Sequence, residues 1–271
     1  MTADQKLRLV AIDLDDTLLR PDRTISQRVK RSLSAVQAMG CTVTLATGRM
    51  FKSAKQYADE LELDVPLITY QGALVKTSRT GETLRSVSLA AEVLQPLLRW
   101  LEEVGVHINL YVGDDLYVAE LNRIAMDYAR FTRVDVQAVG QLSSFPLPVA
   151  TKVVAVADPD YLRDHLQPQA ERQFGDRLTI NRSRPHFLEF GHPQATKSQA
   201  LAFLANRLGI GREQVMAIGD GENDLDMLQY AGVGVAMGNA EPAALAVADF
   251  VTKSNQEDGV AVALEHYFRL G

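Results

Sequence analysis

Two short apolar runs, far apart in the chain, each lead into acidic residues. Residues 7–12 (LRLVAI) precede Asp13 and Asp15, and residues 215–218 (VMAI) precede Asp220. Both runs are too short for a helix, so we predict that they are buried strands. In an open parallel sheet, ligands bind beyond the carboxyl ends of the strands. We therefore expect these acidic residues to converge on one site.

Strands alternate with helices around both runs. Residues 42–46 and 67–70 are further predicted strands, and a helix capped by Ser26 is expected between the first two strands. Near the C-terminus, residues 199–208 are expected to form a helix with Leu208 on its apolar side. Strands that alternate with helices are typical of a parallel sheet, so both flanks of the chain are predicted to be of this class.

The middle of the chain has a different pattern. Residues 91–104 have the apolar spacing of an amphipathic helix, and residues 107–112 and 116–118 alternate as the strands of a hairpin do. We therefore predict an α/β fold, with a Rossmann-like, mostly parallel core sheet and an inserted α/β domain. The expected boundaries are residues 1–83 and 191–271 for the core and residues 84–190 for the insert.

The composition excludes several classes of partner. The chain has 28 Lys and Arg against 34 Asp and Glu, a formal net charge of −6, so no basic face for nucleic acid is expected. The single cysteine, Cys41, excludes an internal disulfide and a multi-cysteine zinc site, and it fits a reducing compartment. No apolar run reaches the roughly 18 residues of a membrane span. We expect a cytoplasmic protein with no membrane partner.

The acidic residues predict a metal site. Asp13, Asp15, Asp220 and Asp224 follow predicted strands, and so does Thr47. Four carboxylates in one crevice would repel one another unless a cation lay among them. Because the ligands are all oxygens and no His or Cys is suitably spaced, Mg²⁺ is the expected ion.

Four segments resemble, in order and spacing, the motifs of the haloacid dehalogenase (HAD) superfamily, in the form typical of its Cof-type phosphatases. Taken singly, each segment could be an acidic turn or the end of a strand; the ordered set is far more specific. The insert lies where that subgroup has an α/β cap domain. The segments are residues 13–19 (DLDDTLL), 45–49 (LATGR), 196–198 (TKS) and 219–227 (GDGENDLDM), with 235–240 (VAMGNA) extending the match.

The resemblance implies a Mg²⁺-dependent phosphatase that acts on small phosphorylated metabolites through an aspartyl-phosphate. It implies that Asp13 attacks phosphorus and that Asp15 protonates the leaving alcohol and then activates water. The other implied catalytic residues are Thr47, which would hydrogen-bond the transferring phosphoryl oxygens, and Lys197, which would neutralise the nucleophile and the phosphate. The implied substrate-binding residues are Thr47, Gly48, Arg49, Lys197, Asn223 and Asn239, and the implied metal ligands are Asp13, Asp15 through its backbone carbonyl, Asp220 and Asp224.

Some of these assignments have alternatives. Asn223 is expected either to contact the phosphate or to orient Lys197, and a plain turn or helix cap explains Asn239 equally well. The sequence departs from the subgroup at Gln71, where asparagine is usual, and at Ser198, where glycine is usual. We expect Gln71 to shift the substrate contacts. Little loss is expected from Ser198, because serine can cap a helix.

A phosphatase has three alternatives: a phosphomutase, a phospho-aspartate regulator and a dehalogenase. A sugar phosphomutase resembles the same group and would return the phosphoryl group to its substrate, so isomerised sugar phosphate would identify it. A non-enzymatic phospho-aspartate regulator is expected to be much shorter and to lack the insert, and turnover of an aryl phosphate would exclude it. A haloacid dehalogenase is disfavoured, because that chemistry lacks both the metal and the second aspartate of the first motif.

Overall fold

The computed structural model describes residues 6–132, 134–146 and 149–270. The chain divides into two compact units, one drawn from Met1–Arg85 and Thr196–Gly271 and the other from Ser86–Ala195. We call them the core unit and the inserted unit. The expected domain boundaries stay a prediction, because compactness alone does not show that either unit folds independently.

Strands and helices occur in both units. The strands in chain order are β1 (Leu9–Ile12), β2 (Thr42–Leu45), β3 (Pro66–Thr69), β4 (Leu74–Thr77), β5 (Thr83–Ser86), β6 (Leu89–Ala90), β7 (His107–Val112), β8 (Asp115–Val118), β9 (Val136–Ala138), β10 (Val149–Ala150), β11 (Lys152–Val156), β12 (Thr179–Arg184), β13 (Phe187–Gly191), β14 (Val215–Gly219), β15 (Val233–Ala236) and β16 (Phe250–Val251). The helices are α1 (Gln27–Ala38), α2 (Phe51–Glu60), α3 (Ala91–Val104), α4 (Arg123–Thr132), α5 (Pro159–Tyr161), α6 (Gln167–Phe174), α7 (Lys197–Arg207), α8 (Leu225–Tyr230), α9 (Pro242–Val247) and α10 (Gly259–Phe268).

A parallel five-stranded sheet forms the centre of the core unit. Its strand order is β16-β15-β14-β1-β2, and each neighbouring pair is parallel. All side chains of β1 are fully buried. A strand buried on both faces gives a continuous apolar run in the sequence, which is why residues 7–12 were recognisable as a strand. The predicted α/β fold, with its mostly parallel core and inserted unit, is confirmed.

A smaller three-stranded sheet, β3-β4-β5, also belongs to the core unit. One parallel bridge between Ala46 and Ile68 connects it to the end of β2. β3 and β4 are antiparallel and are joined through the turn Tyr70–Gly72, whose residues have φ of 53°, 56° and 96°. The sequence predicted β3 only, because β4 and β5 are short and partly exposed and have no clear apolar period.

The helices of the core unit mostly follow their predicted signals. The hydroxyl of Ser26 accepts a hydrogen bond from the N–H of Val29 (3.1 Å), so the predicted cap of α1 is confirmed. α7 begins at Lys197, with the hydroxyl of Thr196 accepting from the N–H of Gln199. The prediction for Leu208 is wrong: α7 ends at Arg207, and Leu208, the residue that caps its C-terminus, is 37% exposed.

The inserted unit is built on a six-stranded sheet of order β12-β13-β11-β7-β8-β9. Its pairs are antiparallel except β8 and β9, which are parallel. Leu97 and Leu101 of α3 and Phe174 of α6 pack with Leu110 of β7 in one apolar cluster. The predicted helix at 91–104 and the hairpin of β7 and β8 are confirmed. Helix α4 was not predicted from the sequence; its apolar residues Ile124 and Met126 are exposed.

Among the described residues, the helices are all too short or too polar to cross a membrane.

Candidate active site

Three carboxylates from the two flanks of the chain meet at the carboxyl edge of the core sheet. Asp13 follows β1, and Asp220 and Asp224 follow its neighbour β14. One oxygen from each lies within 4.8 Å of the others. Asp13 and Asp224 are buried, and the N–H of Asp13 donates to the carbonyl of Ile218 (3.0 Å). Parallel pairing of β1 and β14 therefore brings together residues that are far apart in sequence.

Lys197 lies between two of these carboxylates. Its Nζ donates to Oδ1 of Asp13 (2.6 Å) and to Oδ1 of Asp224 (2.5 Å), and its side chain is 0% exposed. Burial alone would lower the pKa of Lys197. The charges of Asp13 and Asp224 outweigh burial and raise that pKa above its ordinary value, so the ammonium stays charged.

Asp224 uses both carboxylate oxygens within the protein. Its Oδ1 accepts from Lys197, and its Oδ2 accepts from the N–H groups of Asp220 (3.0 Å) and Gly221 (3.1 Å). These bonds orient Lys197 and fold the loop that carries Asp220. The geometry therefore supports a role for Asp224 in arranging the site, beside the ligand role that the sequence suggested.

Asp220 is partly buried, and Thr17 holds its side chain. The hydroxyl of Thr17 donates to Oδ1 of Asp220 (2.5 Å). Burial raises the pKa of Asp220 to about 7; the Thr17 bond opposes this shift, and the charge of Asp224 adds to it. Burial also raises the pKa of Asp13 well above its ordinary value. Lys197 opposes that shift, and the neighbouring carboxylates add to it.

Burial raises the pKa values of Asp13 and Asp220, and repulsion from the neighbouring carboxylates adds to the shift. Three carboxylates lie together, and two of them, Asp13 and Asp224, are hydrogen-bonded to the ammonium of Lys197. A second cation would relieve the repulsion, and a set of oxygen donors suits a hard divalent ion such as Mg²⁺. The donor set and its charge therefore fit the expected metal.

Asp15 lies outside this cluster and is bound by Arg49. The guanidinium donates from Nε to Oδ2 of Asp15 (2.7 Å) and from Nη2 to Oδ1 (2.6 Å). Nη1 of Arg49 donates to the hydroxyl of Tyr57 (3.2 Å), and the guanidinium carbon lies 5.2 Å from the centre of the Tyr57 ring. Arg49 was expected to contact the substrate; the structure gives it a two-bond pair with Asp15.

Thr47 and Gly48 form the loop that follows β2. Thr47 is buried, and its hydroxyl accepts from the N–H of Arg49 (3.2 Å). The flexible side chain of Gln71 lies against Gly48, since a Cβ there would be 2.5 Å from Nε2 of Gln71. The amide of Asn223 donates to Oε1 of Gln71 (3.3 Å). Gln71, where the sequence departs from the subgroup, therefore contacts two of the expected substrate-binding residues.

Asn239 contacts the loop after β1. Its Nδ2 donates to the backbone carbonyl of Asp16 (2.8 Å), and its Oδ1 accepts from the N–H of Asn255 (2.9 Å). These bonds support the alternative in which Asn239 stabilises a turn.

Four residues with clear contacts at this edge were not predicted from the sequence. Thr17 and Asp226 lie inside matched motifs, so their spacing could have identified them; Oδ2 of Asp226 accepts from the N–H of Ser198 (2.8 Å) at the start of α7. Tyr57 and Asn255 carry no such signal, because only the fold brings them to their partners.

The chain matches the family model described as haloacid dehalogenase-like hydrolase over residues 10–264. It is 32% identical over 272 residues to the 5-amino-6-(5-phospho-D-ribitylamino)uracil phosphatase YitU of Bacillus subtilis. That alignment covers 98% of this chain and 100% of YitU. It is also 32% identical over 244 residues to the HMP-PP phosphatase of Cronobacter sakazakii, with 88% of this chain and 87% of that protein covered.

A solved structure agrees with these matches. The crystal structure of TM0651 from Thermotoga maritima superposes with a TM-score of 0.87 at 31% identity, covering 98% of each chain. The predicted family membership is confirmed: this chain belongs to the haloacid dehalogenase-like hydrolases, and relatives that match it along most of its length are named phosphatases.

Proposed function

We propose that this chain is a Mg²⁺-dependent phosphatase that hydrolyses small phosphorylated metabolites, such as sugar phosphates or phosphorylated cofactors, through an aspartyl-phosphate on Asp13. The supporting observation is the fully buried Lys197, which bridges Asp13 and Asp224 beside Asp220. Burying a lysine and two carboxylates carries a desolvation penalty, so their contribution to the free energy of folding is a weak reason for the arrangement. A buried ammonium at this position suits a site that must bind a phosphate.

Asp13 is the proposed nucleophile. Lys197 binds its Oδ1, which favours the ionised carboxylate against the effect of burial. Oδ2 of Asp13 has no hydrogen bond within the part of the chain that the structure describes, so it is the oxygen that we expect to attack. Attack forms the Oδ2–phosphorus bond and breaks the bond to the leaving oxygen, which takes up a proton.

Mg²⁺, when bound, would neutralise charge on the carboxylates and on the phosphate oxygens. The residues that would hold it are Asp13 and Asp220, together with the backbone carbonyl of Asp15 that the family resemblance implies. Asp224 would support this set, since its own oxygens accept bonds from Lys197 and from the Asp220 loop.

Asp15 is the proposed acid and base. Its two bonds from Arg49 favour the ionised carboxylate, which is the form that accepts a proton from water when the aspartyl-phosphate is hydrolysed. Donating a proton to the leaving alcohol requires the neutral form. We therefore expect Asp15 to release at least one Arg49 bond in the first step.

The substrate class rests on the relatives. Two proteins of equal identity to this chain are named for different phosphorylated substrates, a ribitylaminouracil phosphate and HMP-PP. Identity at this level therefore supports a small phosphorylated metabolite and leaves the particular one to experiment.

The test is release of phosphate from a panel of phosphorylated metabolites and from p-nitrophenyl phosphate, with Mg²⁺ and with EDTA. We expect turnover with Mg²⁺ only. Wild-type protein that releases no phosphate from any member would contradict the proposal, and a sugar phosphate returned as its isomer would identify a phosphomutase instead.

A further inference from the structure

The loop after β1 carries the proposed chemistry on a constrained backbone. Residues 14–19, here called the nucleophile loop, include Asp15 and Asp16. Asp16 has a left-handed conformation, with φ of 59° and ψ of 2°. Two backbone bonds close the loop: the N–H of Leu18 donates to the carbonyl of Asp13, just before the loop (3.2 Å), and the N–H of Leu19 donates to that of Leu14 (2.9 Å). A left-handed aspartate persists only where its surroundings fix it.

Two asparagines from distant segments hold this loop from outside. Nδ2 of Asn239 donates to the carbonyl of Asp16 (2.8 Å), and Nδ2 of Asn255 donates to the carbonyl of Leu19 (2.8 Å). The N–H of Asn255 donates to Oδ1 of Asn239 (2.9 Å), so the two residues are bonded to each other as well. We call this pair the asparagine bracket.

The bracket is anchored to the strand that leads to Asp220. The N–H of Met237 donates to the carbonyl of Gly219 (3.0 Å), and the N–H of Gly238 donates to that of Lys253 (3.0 Å). A Cβ on Gly238 would lie 2.8 Å from the N of Ser254, so the two bracket segments pack backbone against backbone. The bracket thus connects the nucleophile loop to the same strand end that carries the second group of acidic residues.

We propose that Asn239 and Asn255 are positioning residues for phosphoryl transfer: they fix the Asp16 and Leu19 carbonyls, and through them the orientation of Asp13 and Asp15 relative to Asp220. The proposal rests on the proposed function and adds to it. Neither asparagine side chain is bonded to the three carboxylates, so each acts through the backbone of the nucleophile loop.

The test uses the full chain with Mg²⁺ and p-nitrophenyl phosphate. Serine is too short to bridge either gap and adds no charge, so Asn239→Ser and Asn255→Ser each remove one bracket bond to the loop. We expect kcat to fall by ~10–100-fold with KM changed by less than about twofold, because misplaced reacting groups slow the chemistry more than they weaken binding. The double variant should be little worse than either single variant, because the two residues act as a unit.

Ser254→Ala is the matched control. It removes a bond to Glu257 (2.7 Å) in the same turn as Asn255 but touches nothing in the nucleophile loop, so kcat should stay at the wild-type value. A second readout needs no activity: amide hydrogen exchange at Leu19 should be faster in both bracket variants than in the control.

The outcomes separate this proposal from the proposed function. Inactive wild-type protein contradicts the function, and exchange at Leu19 then still tests the bracket. Active wild type with unchanged kcat in Asn239→Ser overturns the positioning role, and so does an equal loss of kcat in Ser254→Ala. Asn239 is exposed, so its variant is expected to fold even if that of the buried Asn255 does not.

Discussion

The two units each contain a buried lysine, and the surroundings of the two differ. In the core unit, Lys197 lies beyond the strand ends with Asp13 and Asp224. In the inserted unit, Lys152 lies within β11 and pairs with Glu189 of the adjacent strand β13 (2.9 Å), with 9% and 13% of their side chains exposed. A polar residue within a strand can be part of the sheet face, whereas the cluster beyond the strand ends has an excess of negative charge. We therefore expect the Lys152–Glu189 pair to stabilise the fold, and the carboxylates around Lys197 to destabilise it unless a cation is bound.

The largest expected effect is on catalysis in the core unit. Asp13→Asn keeps the shape of the side chain but removes the attacking charge, so phosphate release with Mg²⁺ should fall by at least ~10³-fold. Turnover of p-nitrophenyl phosphate measures this, with circular dichroism as the control for folding. Wild-type turnover in this variant would mean that Asp13 is not the nucleophile.

Replacing each lysine by methionine compares the units directly. Lys197→Met leaves Asp13 and Asp224 without their ammonium and should cost ~3–5 kcal/mol of unfolding free energy without metal. Lys152→Met removes the Glu189 pair from a less completely buried site and should cost ~1–3 kcal/mol.

The two methionine variants should also differ in their response to Mg²⁺. Urea unfolding in millimolar Mg²⁺ and in EDTA measures this difference. Mg²⁺ should restore part of the unfolding free energy that Lys197→Met loses, and it should restore little of the loss in Lys152→Met. Equal rescue of both would contradict the distinction between the two lysines.

Magnesium alone should stabilise the wild-type protein. Binding to the native state contributes about 2.7 kcal/mol when the free ion is at a hundredfold excess over Kd. The melting temperature should therefore rise on addition of Mg²⁺. Asp220→Ala should abolish that rise and leave the metal-free protein at least as stable, because one repelling charge is gone. A wild-type melting temperature insensitive to Mg²⁺ would remove the metal from the proposed site.

A further expected effect is a pH dependence of the metal-free protein. The pKa of Asp220 rises from its ordinary 3.8 to about 7 in the folded chain, chiefly through burial. Between these values the folded state holds a proton that the unfolded state has released, so stability should fall as the pH rises from about 4 to 7. Asp13, whose pKa is also raised, contributes with the same sign.

Thermal unfolding in EDTA across this pH range measures the effect. Mg²⁺ should flatten the profile, since it favours the ionised carboxylates, and Asp220→Asn should flatten it without metal. A metal-free protein whose stability rose over the same range would contradict the assigned cause of the shift.

In both units, the elements that could be predicted from the sequence are those with a strong apolar pattern. β1 and β14 are buried on both faces, so their apolar runs and the acids after them identified the site. In the inserted unit, α3 has a strong apolar stripe and was predicted correctly. Helix α4 buries Ala125 but leaves Ile124 and Met126 exposed. Its apolar residues therefore do not mark one buried face, and the helix was not predicted.

The sequence by itself determined the α/β class, the family motifs and the acidic residues that meet at the sheet edge, because these depend on local runs and fixed spacings. The tertiary structure alone decided how those residues are bonded: Arg49 to Asp15, Asn223 to Gln71, and Asn239 to the carbonyl of Asp16. The residues of each pair lie in different segments of the chain, and no pattern in the sequence predicts that they are bonded. They form only when strand pairing brings the loops within the few ångströms over which a hydrogen bond acts.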